Sequence, residues 1–213
     1  MVTQDHLTQE AFAPTITILR PLNAGTMDER TDEQLVVDYR RGDRAAFDAL
    51  VRRLLPPLYG WLFRLVGNER DAQDLAQETW LKAWRQLRRF DERRRFKTWL
   101  FRIGRNAAYD LLRRKKGSPL PLAAGEEEGD PGAEVVDPAL LPPDQMDRAD
   151  AAQRLSAALE QLDPDSRTVL LLHYQEEFTF EEIGQVLGQP LSTAKSRHRR
   201  AVQKLRGLLE KNG

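Results

Sequence analysis

Residues 68–106, NERDAQDLAQETWLKAWRQLRRFDERRRFKTWLFRIGRN, constrain the fold more than any other stretch of the chain. Ala76, Trp80, Ala83, Trp84 and Leu87 recur at steps of three or four, the spacing of one helix face. Phe96, Leu100, Ile103, Ala107 and Leu111 repeat the pattern. Between the two stripes, Arg88, Arg89, Arg93, Arg94, Arg95 and Lys97 surround only Asp91 and Glu92. Two amphipathic helices joined by a short basic connector are expected. An apolar stripe alone implies packing. Here a polar face bearing Asp74, Gln77 and Glu78 lies a few residues from Trp, Phe and Arg, which offers one surface to a protein and another to unpaired nucleic acid.

The period extends in both directions. Thr31 followed by Asp32, Glu33 and Gln34 reads as a capped helix start, with Leu35, Val36 and Tyr39 as its stripe. Phe47, Leu50, Leu54, Leu58 and Leu62 mark the next helix, where Pro56-Pro57 predicts a kink or break near Leu55. No β alternation interrupts residues 28–116, which read as a helical bundle. Residues 117–150 change character: six prolines, with Gly125, Gly129 and Gly132 and an EEEGD cluster, predict a flexible acidic linker. Residues 1–27 hold a short β-prone run, TITIL, between Pro14 and Pro21, and read as a disordered tail or an over-extended start, with a regulatory arm as the alternative.

Helical spacing resumes at Ala151, with Leu155, Ala158, Leu159 and Leu162 on one side. Asp163-Pro164-Asp165 is a turn and helix start, with proline at the first helical position. Thr179 and Glu182 have the capping-box spacing, and Gly188-Gln189-Pro190 forms the turn before STAKSRHRRAVQKLR. That last helix carries Lys195, Arg197, Arg199, Arg200, Lys204 and Arg206 without one acid. Solvated charged faces normally mix signs, so a capped helix, tight turn and all-cationic helix point to a helix-turn-helix reading a major groove. The fold class expected is all-α: two small helical domains joined by the linker.

The formal net charge of zero conceals the layout. Residues 28–116 carry 22 basic against 14 acidic groups, residues 117–150 one against nine, and residues 151–213 nine against eight. Such blocks favour polyanion contact on chosen faces. Cysteine is absent, which excludes disulfides and thiolate metal sites and suits a cytoplasmic location. No apolar run approaches about 18 residues, so membrane insertion is not expected. His6, His173 and His198 lack metal-ligand spacing, and no nucleotide loop or nucleophile motif occurs. No enzyme, cofactor or metal is expected.

Three segments in order carry a family resemblance: DAQDLAQETWLKAW, RRFDERRRFKTWLFRIGRNAAYDLLRR and FEEIGQVLGQPLSTAKSRHRRAVQKLR. They resemble the core-polymerase-binding helix, the promoter-melting region and the helix-turn-helix of the extracytoplasmic-function group of bacterial sigma factors. The resemblance spans Asp28 to Lys116 and Ala151 to Leu209, and it implies an alternative sigma factor that directs core RNA polymerase to promoters and helps open the DNA. On it, Asp74, Gln77, Glu78, Trp80 and Arg85 fall on the helix docking the clamp helices of the polymerase largest subunit. Arg93, Arg94, Arg95, Lys97, Arg102, Arg105 and Asn106 fall on the segment that melts and reads the minus-ten element. Thr193, Lys195, Ser196, Arg197, Arg199 and Arg200 fall on the minus-thirty-five reader. Leu170, Leu171 and Tyr174 would seat the C-terminal domain on the flap of the second-largest subunit. Both double-stranded and melted promoter DNA are implied partners, and an anti-sigma factor is left open. Met27 stands where the family's chains commonly begin, and the linker would thread toward the polymerase active centre. Ser192, Ala194 and His198 depart from the usual start of the recognition helix. A stand-alone helix-turn-helix regulator, or a helical adaptor for acidic proteins, remains the alternative from the residues alone.

Overall fold

The structure is a computed structural model that describes residues 28–116 and 143–211. Eight α-helices and no strands occur among them: α1 Asp32–Arg40, α2 Arg44–Val66, α3 Glu69–Gln86, α4 Phe96–Lys116, α5 Pro143–Glu160, α6 Pro164–Tyr174, α7 Phe180–Leu187 and α8 Leu191–Lys211. The expected tail at 1–27, and the linker as far as residue 142, lie outside the described residues. Helix α5 begins before Ala151, where helical spacing was expected to resume. Its first residue is Pro143, and proline at a first helical position forfeits no internal hydrogen bond.

Side-chain caps set the helix starts. Thr31 Oγ1 accepts the Gln34 N–H at 3.2 Å while Gln34 Oε1 accepts the Thr31 N–H at 2.8 Å. Asp43 and Asn68 cap α2 and α3 by accepting from Ala45 and Asp71. Arg30 ties this end together, pairing with Asp28, Asp38 and Asp43, and it holds the Asp28 carboxyl at about 2.

Helix α2 runs unbroken through Pro56 and Pro57, contrary to the expected break. Buried Leu50 and Leu54 precede the prolines, and buried Leu58, Trp61, Leu62 and Leu65 follow them. Packing on both sides outweighs a proline penalty of about 3 kcal/mol. Helices α2, α3 and α4 pack mutually around Trp61, Trp80, Phe96, Leu100 and Phe101, all fully buried.

The C-terminal helices lie on this bundle and share its apolar core, which runs from Leu35 to Ala194. Helix α7 packs along α4, and α6 touches α2. Phe178, before α7, sets its ring 5.1 Å from Phe101. A domain of about 60 residues buries only about 60% of its unfolded surface, so a small helical unit gains much from a neighbour. Arg167 joins the parts through main chain, donating to the Leu65 carbonyl of α2 at 2.9 Å and the Leu159 carbonyl of α5 at 2.8 Å.

Candidate nucleic-acid interface

Helix α3 separates its two faces cleanly. Ala72, Leu75, Ala76, Thr79, Trp80 and Ala83 are buried, while Asp74, Gln77, Glu78 and Arg85 are exposed along the other side. Glu78 pairs with Lys82 one turn on, at 2.6 Å. Trp80 corrects the expectation of a polymerase contact. It is 0% exposed, with its ring 5.9 Å edge-on from Phe47 and 6.4 Å from Phe96. It shapes the helix that presents the other four and faces no partner itself.

The basic connector stands on an aromatic base. Phe90 and Phe96 are buried at its ends and meet edge-on at 5.3 Å, and half-buried Trp99 lies 5.1 Å and 5.5 Å from them. Asp91 turns the chain, its side chain accepting the Arg93 N–H and its carbonyl the Arg94 N–H. Arg40 pins the approach by donating to the carbonyls of Leu87 and Phe90. Fixed this way, Arg93, Arg94 and Arg95 project into solvent beside exposed Arg102 and Asn106. The aromatics therefore brace a cationic rim whose arginines stay exposed, with Arg94 3.7 Å from Asp91 and Arg95 3.6 Å from Glu182.

Lys97 and Arg105 are engaged elsewhere. Lys97 Nζ lies 3.2 Å from Glu176 Oε2 and 5.0 Å from the centre of the Phe178 ring. Arg105 stacks on Tyr109 at 4.1 Å and reaches Asp165 Oδ1 at 3.7 Å. The Tyr109 hydroxyl donates to the same oxygen at 2.7 Å, and burial pushes its ionisation well up. Arg93, Arg94, Arg95 and Arg102 line an open cleft with Glu181, Glu182 and the turn at Gly188–Leu191, and Arg95 Nε lies 3.6 Å from Glu182 Oε1 across it.

That turn is set by close approach. Thr179 and Glu182 form the expected capping box on α7. A Cβ on Gly184 would fall 2.7 Å from the Gln189 carbonyl oxygen, so only glycine lets the chain fold back so tightly. Gly188 closes α7 with φ +66°, the left-handed conformation glycine adopts without strain. Ala194 and Ala201 anchor α8 on its inner side. Lys195, Arg199 and Arg200 are exposed, whereas Thr193, Ser196 and Arg197 are half-buried. Ser196 Oγ donates to the Thr193 carbonyl at 3.0 Å, and Arg197 pairs with Asp165 at 3.1 Å and Asp163 at 3.5 Å.

His198 packs in a ring cluster, 5.0 Å from both His173 and Phe180, with Nε2 3.2 Å from the Tyr174 hydroxyl. Burial, then the neighbouring His173, hold its imidazole below the ordinary histidine range. Of the expected flap contacts, Leu170 and Leu171 are 3% and 2% exposed and belong to the interior; Tyr174, at 64%, is on the surface. Asp165, Tyr109 and Glu176 hold the predicted cations in place, Gln189 donates to Asp165, and none of these contacts was singled out from the sequence. Their one sequence signal, Asp163-Pro164-Asp165, reads only as a helix start.

The family model described as Sigma-70 region 2 matches residues 50–117, and that for Sigma-70 region 4 matches residues 158–207. The ECF RNA polymerase sigma factor SigW of Bacillus subtilis (strain 168) is 32% identical over 171 residues, 78% of this chain and 90% of the relative. The chain belongs to the extracytoplasmic-function sigma factors. As an alternative sigma factor it directs RNA polymerase to promoters. The RNA polymerase sigma-H factor of Pseudomonas aeruginosa is similar at 34% over 180 residues, 82% of this chain and 92% of the relative. Among solved structures, CnrH in complex with the cytosolic domain of CnrY aligns with TM-score 0.63 and 28% identity, over 85% of this chain and 99% of that one. RpoE from Bartonella quintana, in complex with the anti-sigma factor NepR, aligns with TM-score 0.57 and 26% identity, over 77% and 96%. In this sigma factor the region 2 match takes in the acidic-amide face of α3 and the cationic rim, and the region 4 match takes in α6, α7 and most of α8. No described helix is long and apolar enough to cross a membrane.

Proposed function

We propose that the two cationic faces divide promoter recognition between them. Arg93, Arg94, Arg95 and Arg102, with Asn106, hold melted minus-ten DNA, joined by Lys97 and Arg105 when these are released. Lys195, Arg199 and Arg200, with Thr193, Ser196 and Arg197, read the minus-thirty-five duplex. Residues 28–116 form the polymerase-binding and melting unit, residues 151–213 with the start of α5 form the duplex-reading unit, and residues 117–142 tether them. Asp74, Gln77, Glu78 and Arg85 dock on the clamp helices of the polymerase largest subunit, and Tyr174 faces the flap of the second-largest.

The observation that carries this reading is the position of the exposed arginines. Those of the connector precede α4, whose Phe96, Leu100 and Phe101 are fully buried, and Arg199 and Arg200 stand on α8, which buries Ala194 and Ala201, so guanidinium groups meet the polyanion on a rigid base. Phosphate contacts position the protein, and side chains at the start of α8 carry sequence information. Specificity then arises from two modest readers held at fixed spacing by the polymerase. The protein itself performs no catalysis and acts in the cytoplasm. Similar structures contain sigma factors with bound partners, one of them the anti-sigma factor NepR, and a regulator of that class is proposed here too.

Co-elution of the purified protein with bacterial core RNA polymerase, followed by run-off transcription on fragments of the source genome, tests the assignment. A stable complex giving new, discrete transcripts is expected. Sequence-specific DNA binding by the protein alone, without a complex, would favour a stand-alone regulator.

A further inference from the structure

None of the residues assigned to polymerase or DNA lies on α1, yet this helix grips the connector between α3 and α4 at both ends. At the entry, Arg40 donates to the Leu87 carbonyl from Nη2 at 2.8 Å and from Nε at 3.2 Å, and Nη2 also reaches the Phe90 carbonyl. Its Nη1 lies 3.7 Å from Glu92 Oε2, within the connector. At the exit, Glu33 Oε1 accepts the Phe96 N–H at 2.9 Å. One residue before Arg40, the Tyr39 hydroxyl accepts the Trp84 indole N–H at 2.9 Å, which ties the last turn of α3 to the same helix. Glu33 and Arg40 stand two turns apart on α1, about 10 Å along its axis. Val36, between them, is fully buried and seats α1 in the core.

We propose that Glu33 and Arg40 are positioning residues for promoter opening: α1 is a splint that holds the connector in the shape that captures the melted minus-ten strand. The proposal rests on the connector's DNA-holding role given above. Both residues grip main-chain atoms, so they set the path of the chain and leave the side chains of Arg93, Arg94 and Arg95 exposed. The rigid fork of a guanidinium meets two carbonyls at once, which a lysine ammonium on a flexible stem does not hold in fixed geometry. A loop fixed before binding does not have to be ordered by the strand, and the avoided ordering cost appears as affinity. Released at either end, the connector keeps its charges but no longer presents them together. The opposite charges of the two residues separate positioning from direct attraction. Removing an acid beside a polyanion strengthens binding on charge alone, whereas loss of a splint weakens it.

The test uses holoenzyme assembled from the full chain and saturating core polymerase. A promoter recovered by the genomic run-off assay is made as a fluorescein-labelled duplex ending above the minus-ten element, with or without a single-stranded minus-ten tail. The ratio of the two affinities isolates the tail. Glu33→Ala and Arg40→Met should each lower that ratio about tenfold, the scale of one lost base-stacking contact. Glu33→Gln drops the charge, keeps an oxygen for the Phe96 N–H, and should match wild type. Core binding and affinity for the tailless duplex should not change in any of the three. A ratio that stays at the wild-type value in either Glu33→Ala or Arg40→Met overturns the splint, as does a ratio raised alike by Glu33→Ala and Glu33→Gln. Should Arg40→Met fail to fold by circular dichroism, the two Glu33 variants decide alone. Wild-type holoenzyme to which the tail adds no affinity overturns the minus-ten assignment beneath the proposal, whereas a tail that adds affinity beside indifferent α1 variants places the failure in the splint.

Discussion

Glu33 accepts the backbone N–H of Phe96 at 2.9 Å, so a side chain of α1 caps the first residue of α4 across 63 positions of sequence. The first N–H groups of a helix have no internal partner, and a carboxylate there also meets the positive end of the helix dipole. The contact fixes where the cationic connector ends and α4 begins. Glu33→Ala should cost about 1 kcal/mol. Amide exchange should accelerate at residues 94–98 while the centre of α2 stays protected, and uniform protection would show that the cap is dispensable.

Glu78 stands on the exposed face of α3, paired among the described residues with Lys82 of its own helix. Glu78→Lys replaces that pair with repulsion, a loss of about 0.5 kcal/mol in helix stability. Against a complementary basic partner the reversal is far more costly, since like charges brought together cost several kcal/mol. Core polymerase binding measured by fluorescence anisotropy should fall by more than about tenfold, with the melting temperature nearly unchanged. Full retention of binding would remove α3 from the docking surface.

Arg200 lies exposed on α8 and donates a 3.4 Å hydrogen bond to the Ser196 carbonyl a turn earlier. Arg200→Ala should leave polymerase binding intact and weaken promoter use by about 1–3 kcal/mol. If its contact is to phosphate, the salt dependence of promoter binding should shallow by about one charge. Unaltered transcript yield across a salt series would assign Arg200 to solvent.

His198 sets a pH dependence whose sign can be worked out. Burial and His173 lower its folded value, so between that value and the unfolded one, about 6.5, the unfolded chain binds more protons. Stability from the neutral ring is therefore present above about pH 6.5 and is lost as the pH falls toward the folded value. Urea unfolding at pH 7.5 and at pH 6 should show lower stability at the acidic end. His198→Phe should reduce that difference, and an identical slope in the variant would assign it to other groups.

Local rules account for much of what could be read in advance. Thr31 and Thr179 cap their helices because both partners of each box lie within four residues, and a stripe such as Phe96, Leu100 and Ala107 needs only the helical period. Trp80 shows a conflict between two kinds of reading. Its spacing with Ala76 and Ala83 places it inside, the family resemblance places it on the docking face, and burial follows the spacing. The unbroken α2 was hidden because local chemistry assigns a cost to Pro56-Pro57, while the packing that offsets it comes from α3 and α4. Asp165 and Glu33 were hidden for a similar reason. Nothing near them in sequence announces partners 56 and 63 positions away.

Arg167 reaches main-chain carbonyls of α2 and α5, and among the described residues no side chain hydrogen-bonds it. The tie is therefore one-sided under mutation. Leu65 and Leu159 can drift to other residues and still offer the same carbonyl oxygens, whereas loss of the guanidinium at 167 ends both contacts together. Descendants of this protein should accordingly vary around the joint while keeping arginine at its centre.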